Sequence, residues 1–497
     1  MRPIACLILL FACADLASAQ LRVATWNISY YSGGRISDIH TSVYAEFEGR
    51  SMRPDIIVTQ EFFGTGASVN DFLFALNTAP GSPGDWEAAP FMQSRVSSNA
   101  AFYRTSKVDL LGWRVVSEGS VPGHPRDINR FDFRPLGYEA PETVFALYVS
   151  HMKAGSSSTD QQRRLDEAIQ IRADVATLPE SWSFMLAGDF NMQSSQQAAY
   201  QHLTGASVDP AVRFYDPIKT PGSWNNNGAY RFIHTQDPIG PGGMDDRYDI
   251  ILVSGSLTDA EGLSYIGDAS IPYSTMTWDD PNHSYRSWGN DGSSYNQNLR
   301  VEGNAMVGPV IAQALIDMAV GAGHLPVFLD LRVPAKIDAD ETIDFGRVAL
   351  GSPAEMELTV AHAGDLARWT AAGLDDLRYA FDAPAGVVAP ADPFVLAPGS
   401  AAQHTIALDT SEPGEIDTTL LILSGDPDSP ALPVRVLASI GPACIADLNG
   451  DGVVDADDFF LFLALFAAGD SRADINNDGV IDADDFFAFL AEFAAGC

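Results

Sequence analysis

Val144-Phe145-Ala146-Leu147-Tyr148-Val149, with Ser150-His151-Met152-Lys153 directly behind it, carries the reading of the larger part of this chain. A short apolar run rich in β-branched and aromatic residues reads as a buried strand, and the polar residues after it are delivered to the strand's end. Leu21-Arg22-Val23-Ala24-Thr25 leads in the same way to Trp26-Asn27, and Asp55-Ile56-Ile57-Val58-Thr59 to Gln60-Glu61. Further along come Gly188-Asp189-Phe190-Asn191, Arg247-Tyr248-Asp249 and Gly323-His324-Leu325-Pro326, nearly all behind apolar runs. Helix-like stretches such as Asp160 to Thr177 lie between the runs. Residues 21–333 therefore read as an α/β domain with polar groups carried to one lip of a sheet. Taken singly, each polar piece has an ordinary explanation, since an isolated Glu is usually a surface residue and an isolated His usually packs or hydrogen-bonds.

The 497 residues hold 29 basic and 65 acidic side chains, a formal net charge of -36, with 46% hydrophobic content. That length suggests about two to four domains. The hydrophobic content excludes wholesale disorder, and the charge excludes a generally basic protein that coats nucleic acid. An enzyme acting on anions stays open, because a bound metal inverts the local sign.

Arg2, the apolar run from Ile4 to Ala14 and Ala17-Ser18-Ala19 read as a signal peptide over residues 1–19, so the mature chain is expected to start near Gln20 and to be secreted or held at the cell surface. No apolar stretch is long enough to span a bilayer. A lipoprotein anchored at Cys13 would have only Phe11-Ala12, a poor lipobox, before it. With Cys6 and Cys13 in the leader, Cys444 and Cys497 remain, and an oxidising compartment favours a disulfide between them over two free thiols.

Residues 334–440 are punctuated by Pro and Gly and carry short alternating runs, Glu357-Leu358-Thr359-Val360 and Thr418-Thr419-Leu420-Leu421-Ile422-Leu423, which read as a β-sandwich. Ile343-Asp344-Phe345-Gly346-Arg347-Val348 and Leu396-Ala397-Pro398-Gly399-Ser400 resemble Hydin-type immunoglobulin-like domains, which implies a spacer.

Residues 444–497 hold an internal repeat. Asp447-Leu448-Asn449-Gly450-Asp451-Gly452-Val453-Val454-Asp455-Ala456-Asp457-Asp458 recurs as Asp474-Ile475-Asn476-Asn477-Asp478-Gly479-Val480-Ile481-Asp482-Ala483-Asp484-Asp485. Acids or amides stand at loop positions 1, 3, 5, 9 and 12 with Gly at 6, a spacing that wraps oxygen ligands around calcium. The ligands read from it are Asp447, Asn449, Asp451, the Val453 carbonyl, Asp455 and Asp458, and then Asp474, Asn476, Asp478, the Val480 carbonyl, Asp482 and Asp485, for two Ca2+. Helices are expected behind both loops, with apolar sides of Phe459, Phe460, Leu463 and Phe466 and of Phe486, Phe487, Leu490 and Phe493. Gly441-Pro442-Ala443-Cys444 leaves no room for a helix entering the first loop, unlike a paired EF-hand. The segment resembles a dockerin, which implies a cohesin-like partner, contacted through Ala456-Asp457 and Ala483-Asp484 in either of two orientations, with Cys444 and Cys497 clasping the ends. Against that stands a purely structural calcium staple in a domain too small to hold a core unaided.

Taken together and in order, the polar pieces of residues 21–332 resemble the endonuclease/exonuclease/phosphatase superfamily, which includes pancreatic-type deoxyribonucleases and bacterial sphingomyelinases. The resemblance implies an α/β four-layer sandwich, two mixed β-sheets face to face with helices outside. It implies a divalent cation, Mg2+ or Mn2+, on Glu61 with Asn27 beside it. It casts Asp189 as the acid that orients or deprotonates the attacking water and Asn191 as a phosphate and water contact. His151 and His324 become the histidines that stabilise a pentacoordinate phosphate, with Asp249 holding His324. Those residue types suit phosphodiester hydrolysis, which gathers negative charge on phosphoryl oxygens and needs a cation and placed donors. Magnesium takes few carboxylates plus waters and substrate phosphate.

One position departs from the pattern: the family reads Ser-Asp-His where this chain has Ala322-Gly323-His324. The missing acid is expected to weaken metal binding, with Asp291 as a substitute and Gly323→Asp as a restoring change. The chain as a whole reads as a secreted phosphodiesterase of nuclease type, tethered by a dockerin. The alternatives are a sphingomyelinase-like phospholipid phosphodiesterase, for which Trp278 or Trp288 would have to meet lipid, and a catalytically impaired binding or scaffold protein.

Overall fold

The computed structural model describes residues 20–63, 66–120, 124–321, 323–441 and 444–496; residues 1–19, on which the expected signal peptide falls, and Ala322, Pro442, Ala443 and Cys497 lie outside them. Two compact units are present, residues 1–335 with 364–375, and residues 336–363 with 376–497.

In the first unit the chain lays down most of one sheet, then the whole of a second, and then returns to the first. Strands β1 (Leu21–Tyr31), β2 (Ile56–Phe62), β3 (Trp86–Ala88) and β4 (Ser98–Arg104) begin sheet one. Sheet two is β5 (Val108–Ser117), β6 (Ile128–Pro135), β7 (Phe145–His151), β8 (Ser183–Asp189), β9 (Phe214–Tyr215) and β10 (Asp249–Ser254), in the order β5-β6-β7-β8-β10-β9. Strands β11 (Ser264–Tyr265), β12 (Arg286–Ser287) and β13 (Val327–Arg332) complete sheet one, β11-β13-β1-β2-β4-β3 with β12 on β13. Both sheets are mixed: β1 and β2 run parallel, as do β7 and β8, while β13 lies antiparallel to β1 and β10 to β8.

Both faces of each sheet are covered, which is why the runs read as continuously apolar rather than alternating. Val23, Ile56, Val58 and Leu329 of sheet one share a core with Phe131, Leu147, Val149, Met185 and Ile251 of sheet two. The opposite face of sheet one packs Ala24, Trp26 and Ile57 against α1 (Ile36–Tyr44), α2 (Gly66–Thr78) and α5 (Gly308–Met318) through Val43, Phe72, Leu76, Ile311 and Leu315. That of sheet two packs Ala146, Tyr148, Leu186 and Leu252 against α3 (Ser158–Val175) and α4 (Ala198–Thr204) through Ala168, Ile171 and Leu203. The layers are helix, sheet, sheet, helix. Helix α3 starts just ahead of the sequence expectation because Ser157 and Asp160 close a capping box.

Residues 364–375, which the sequence reading gave to the spacer, lie with the first unit. Trp369 is buried in the intersheet core, the Lys107 ammonium lies 4.4 Å from its ring centroid, and Val333 bridges to Leu374.

The second unit begins with two sheets of four and five strands. Leu358, Val360 and Ile406 of one and Leu420, Ile422, Val434 and Val436 of the other are buried, alternating with more exposed neighbours as one covered face requires. Behind them come α6 (Ala456–Ala468) and α7 (Ala483–Ala495). Of the apolar sides the sequence reading expects, Phe459, Phe466, Phe486 and Phe493 pack, partly buried, against the tail core, but the centre of that core is shifted round the helices. The buried contacts are Phe462, Leu465 and Phe489, with the Phe462 and Phe489 rings stacked at 4.1 Å, while Phe460 and Phe487 are 65% and 64% exposed. A helix of consecutive Phe, Leu and Ala is apolar all round, so its periodicity does not say which side meets a partner. Among the described residues no helix is long and apolar enough to cross a membrane.

Candidate active site

The lip expected of one sheet is built by two. Sheet one brings Asn27, Glu61 and His324; sheet two brings His151, Asp189 and Asp249. Parallel pairing sets His151 beside Asp189, and antiparallel pairing sets Asp249 on the other side of Asp189. The close approach needs Gly188: a Cβ there would lie 1.9 Å from the Ser150 carbonyl oxygen. Sheet one reaches the same point through irregular backbone. Ser29, Tyr30 and Glu61 have φ of 52°, 50° and 65°, and the β1–β2 register shifts between Asn27 and Tyr31. Asn191 is left-handed too, with φ 51°. Such strain persists only where the surroundings enforce it, and it clusters at functional sites.

Asp189 is the hub. Its Oδ2 accepts from Asn27 Nδ2 at 3.1 Å and lies 3.2 Å from His151 Nε2 and 3.7 Å from His324 Nε2. Its Oδ1 accepts from the Asn191 backbone N–H at 3.0 Å, and Asn191 Nδ2 donates to the Met152 carbonyl at 3.2 Å. Burial pushes the Asp189 carboxyl up to about 6; Asp249 and Glu61 push the same way, and His324 and Arg126 oppose.

The two histidines are driven apart. Burial holds the His151 pKa well below the ordinary value, helped by the charges of Arg126 and His324. Burial also opposes charge on His324, but Asp249, 2.8 Å from its Nδ1, and Asp189 outweigh it and raise His324 to about 10. At neutral pH one ring is an imidazole and the other an imidazolium. Trp26 Nε1 donates to the His324 carbonyl at 3.1 Å and fixes that segment.

His151 Nε2 faces Asp189 Oδ2 at 3.2 Å, and a proton held there between them leaves Nδ1 a bare lone pair. That buried atom has no hydrogen-bond partner and faces Glu61 Oε1 at 4.0 Å. Glu61 Oε2 accepts from the Tyr30 N–H at 3.0 Å, so Oε1 is the oxygen left over. Two acceptors facing each other call for a cation or a donor between them, and one carboxylate with the Asn27 amide is a sparse, hard-oxygen set. The residues fit a divalent cation that keeps most of its waters.

Gly323 is shaped for glycine. Its φ is +64°, and a Cβ would meet Ala319 Cβ at 2.3 Å, so Asp does not fit there without movement. Asp291, the substitute the sequence suggests, has both oxygens engaged by backbone: Oδ1 accepts from Ser293 N–H at 2.9 Å and Oδ2 from Ala305 N–H at 2.8 Å. Asp237, left-handed at φ 64°, is joined to this position, its N–H donating to the Gly323 carbonyl at 3.2 Å. Burial first, then Asp246 and Asp245, push its carboxyl up to about 6 against the opposing His324 charge.

Sequence reasoning also missed Arg126 and Glu167. Arg126 donates to Ser97 Oγ at 3.3 Å and the Met152 carbonyl at 3.2 Å, and the charges around it are Asp189, Glu61 and Glu167. Burial pushes Glu167 up to about 8; the Lys153 N–H bonded to it at 3.1 Å and Arg126 oppose. Arg164, Glu167 and Asp174, charged residues on the buried side of α3, were the available signal; Arg126 left none.

In the tail, each loop folds its first carboxylate inward. Asp447 accepts from the N–H groups of Gly450, Asp451 and Gly452 at 2.8, 3.2 and 2.9 Å, and Asp474 from those of Asp478 and Gly479 at 3.1 and 2.9 Å. Asp458 and Asp485 close the loops by accepting from Leu448 and Asn449, and from Ile475 and Asn476. Asp447, Asp451 and Asp458 bring ligand oxygens within 4.8 Å of one another, spacing that suits one cation. Cys444 is disulfide-bonded.

This chain belongs to the endonuclease/exonuclease/phosphatase family, whose model matches residues 24–274. It is an enzyme of the phosphodiesterase-type hydrolases, in a family generally dependent on divalent metals. No curated protein matches the chain. Similar solved structures include D. rerio TDP2 complexed with single strand DNA product, 14% identical over 63% of this chain and 99% of that one, TM-score 0.39. The human Nocturnin catalytic domain with bound sulfate is 14% identical over 64% and 96%, TM-score 0.36. Beta toxin from Staphylococcus aureus is 11% identical over 62% and 99%, TM-score 0.36. The family assignment rests on the match over residues 24–274 and not on these distant likenesses.

Proposed function

We propose that the first unit hydrolyses phosphodiesters of nucleic acid with a divalent cation, Mg2+ or Mn2+, held by Glu61 with Asn27 beside it. The observation that carries this reading is the pair of histidines on either side of Asp189, His151 Nε2 at 3.2 Å and His324 Nε2 at 3.7 Å from its Oδ2, with Asp249 2.8 Å from His324 Nδ1. Asp189 orients the attacking water and takes its proton, a role suited to a carboxyl whose pKa is raised towards neutrality. His324, kept cationic by Asp249, donates to the phosphoryl oxygens as charge gathers there. His151 holds Asp189 from the other side, and the second N–H of Asn191 Nδ2 is free for phosphate. The cation supplies positive charge to the same oxygens when bound.

The phospholipid reading needs an exposed apolar loop, and Trp288 is buried in the helix-side core while Trp278 packs, partly buried, against both cores of sheet one. A hydrolysis panel of DNA, RNA, sphingomyelin and a generic phosphodiester, with magnesium, calcium or chelator, tests the proposal. Chelator-sensitive cleavage of nucleic acid is expected. Loss of all cleavage would leave the impaired-scaffold reading, and preference for sphingomyelin the lipid one.

The same reading makes residues 1–19 a signal peptide of a secreted or cell-surface protein, and residues 444–497 a dockerin that binds two calcium ions and a cohesin-like domain. Carboxylates converging in the first loop, and the same backbone folding around Asp474 and Asp485 in the second, support the calcium, and the exposed Phe460 and Phe487 rings support a docking face. Calorimetric titration of the full chain should find two calcium sites, and Asp447→Ala should remove one.

A further inference from the structure

The lip carries an aromatic feature that hydrolysis itself does not require. Trp26, Ile28 and Tyr31 all pack into the same helix-side core of sheet one. Their spacing is two residues and then three, so one extra residue is inserted, and that residue is Tyr30. In an unbroken strand Tyr30 would share the face of Ile28 and be buried. The left-handed pair Ser29 and Tyr30 forms a bulge that turns the ring outward instead, as bulges beside active sites do. Tyr30 is 59% exposed, and its ring stacks on Phe63 with centroids 5.0 Å apart and planes 26° from parallel. The Tyr30 N–H is bonded to Glu61 Oε2, so the stack stands immediately beside the carboxylate assigned to the cation.

We propose that the Tyr30–Phe63 stack is a platform for one unpaired nucleobase flanking the scissile phosphate, and hence that the enzyme's substrate is single-stranded nucleic acid. The proposal rests on the phosphodiesterase reading above and names its substrate class. A base in a duplex has its faces covered by its neighbours, whereas a base in a single strand offers a whole π face, and aromatic side chains bind it without regard to sequence. A lipid surface would be met by a contiguous apolar patch. Here the stack adjoins a carboxylate, Glu61, whose Oε2 accepts from the Tyr30 N–H, a polar setting that an anionic strand with its cation suits better than a lipid surface does. Phe63 supports Tyr30 by stacking, and the Tyr30 residue remains 59% exposed for a ligand.

The test uses the full-length chain in two assays. In an Asp189→Asn background, fluorescence anisotropy measures binding of a labelled single-stranded oligonucleotide, its duplex, and sphingomyelin-containing vesicles. Tyr30→Ala should weaken single-strand binding by roughly 5- to 150-fold, the range one base–aromatic stack supplies, and Tyr30→Trp should restore it. In the active enzyme, Tyr30→Ala should raise KM for the oligonucleotide well beyond any change in KM for a small aryl phosphodiester. Equal single-strand binding by parent and Tyr30→Ala overturns the proposal. So does a loss confined to vesicles, which would make the stack a lipid contact, or failure of Tyr30→Trp to restore binding. If the parent cleaves no phosphodiester yet binding still depends on Tyr30, the platform stands and the hydrolase reading falls.

Discussion

At the lip of the first unit, Asp189 meets Asn27, His151 and His324, residues drawn from across the chain by two sheets, whereas Asp447 finds Asp451 and Asp458 within its own loop. The lip holds its carboxylate in a buried place, so charge there is set by neighbours: one histidine is lowered, the other raised, and the acid between them raised as well. The tail loop leaves Asp451 exposed and Asp447 half-buried, buries only Asp458, and satisfies Asp447 and Asp458 with its own backbone N–H groups. Charge chemistry of the first kind fails when packing shifts. The second kind survives packing changes and answers to the cation.

The largest expected effect breaks the lip alone. Asp189→Ala or His151→Ala should each lower phosphodiester turnover by about 10²- to 10⁴-fold, with little change in the thermal melt and none in calcium binding by the tail. Unchanged turnover in both variants would sink the assignment.

Next comes the tail core, where Phe462→Ala should cost ~3–5 kcal/mol, the usual range for emptying a buried Phe. Calcium should recover part of that loss by binding the folded form. Chemical denaturation with and without calcium reads both.

A smaller change sharpens the contrast in charge. His324 is raised to about 10. Its contribution to stability is full below the ordinary histidine value, about 6.5, and is lost as pH rises through about 10. Asp249→Asn removes the chief raising partner, so the alkaline limb of the pH–rate profile should move from near 10 towards neutrality. A limb that stays in place would assign it to another group.

Smaller still is Gly323→Asp, for which the sequence suggests a gain in metal affinity and the structure indicates strain. We expect a loss of ~1–3 kcal/mol, the common cost of overpacking, partly recovered by adding Ala319→Gly. A melt equal to the parent's would show that the segment yields. The smallest effect belongs to Phe460→Ser, expected within about 0.5 kcal/mol of the parent because the ring is already in water.

Much of the lip was legible because each strand's apolar run ends where its polar residue begins, and position along a strand is local information. Asn27, Glu61, His151, Asp189, Asp249 and His324 all come together as their order suggested. Arg126 and Asp237 were not legible, because nothing local distinguishes an arginine before a strand or an acid in a loop from a solvated residue. The helix faces of the tail were legible only in part for a related reason: with Phe at adjacent positions, the stacking of Phe462 on Phe489 decides which rings lie deepest. Residues 364–375 were given to the wrong unit because sequence adjacency stood in for the burial of Trp369.

The sequence by itself determined the strands, the spacing of the calcium-type loops and the ordered set of polar residues, since all of these follow from periodicity and loop chemistry within a few residues. Tertiary structure alone decided that the lip spans two sheets, that its surroundings push His151 and His324 in opposite directions, and that Gly323 has no room for a side chain. Those outcomes depend on burial and on distances between segments far apart in the chain, and no local pattern encodes either.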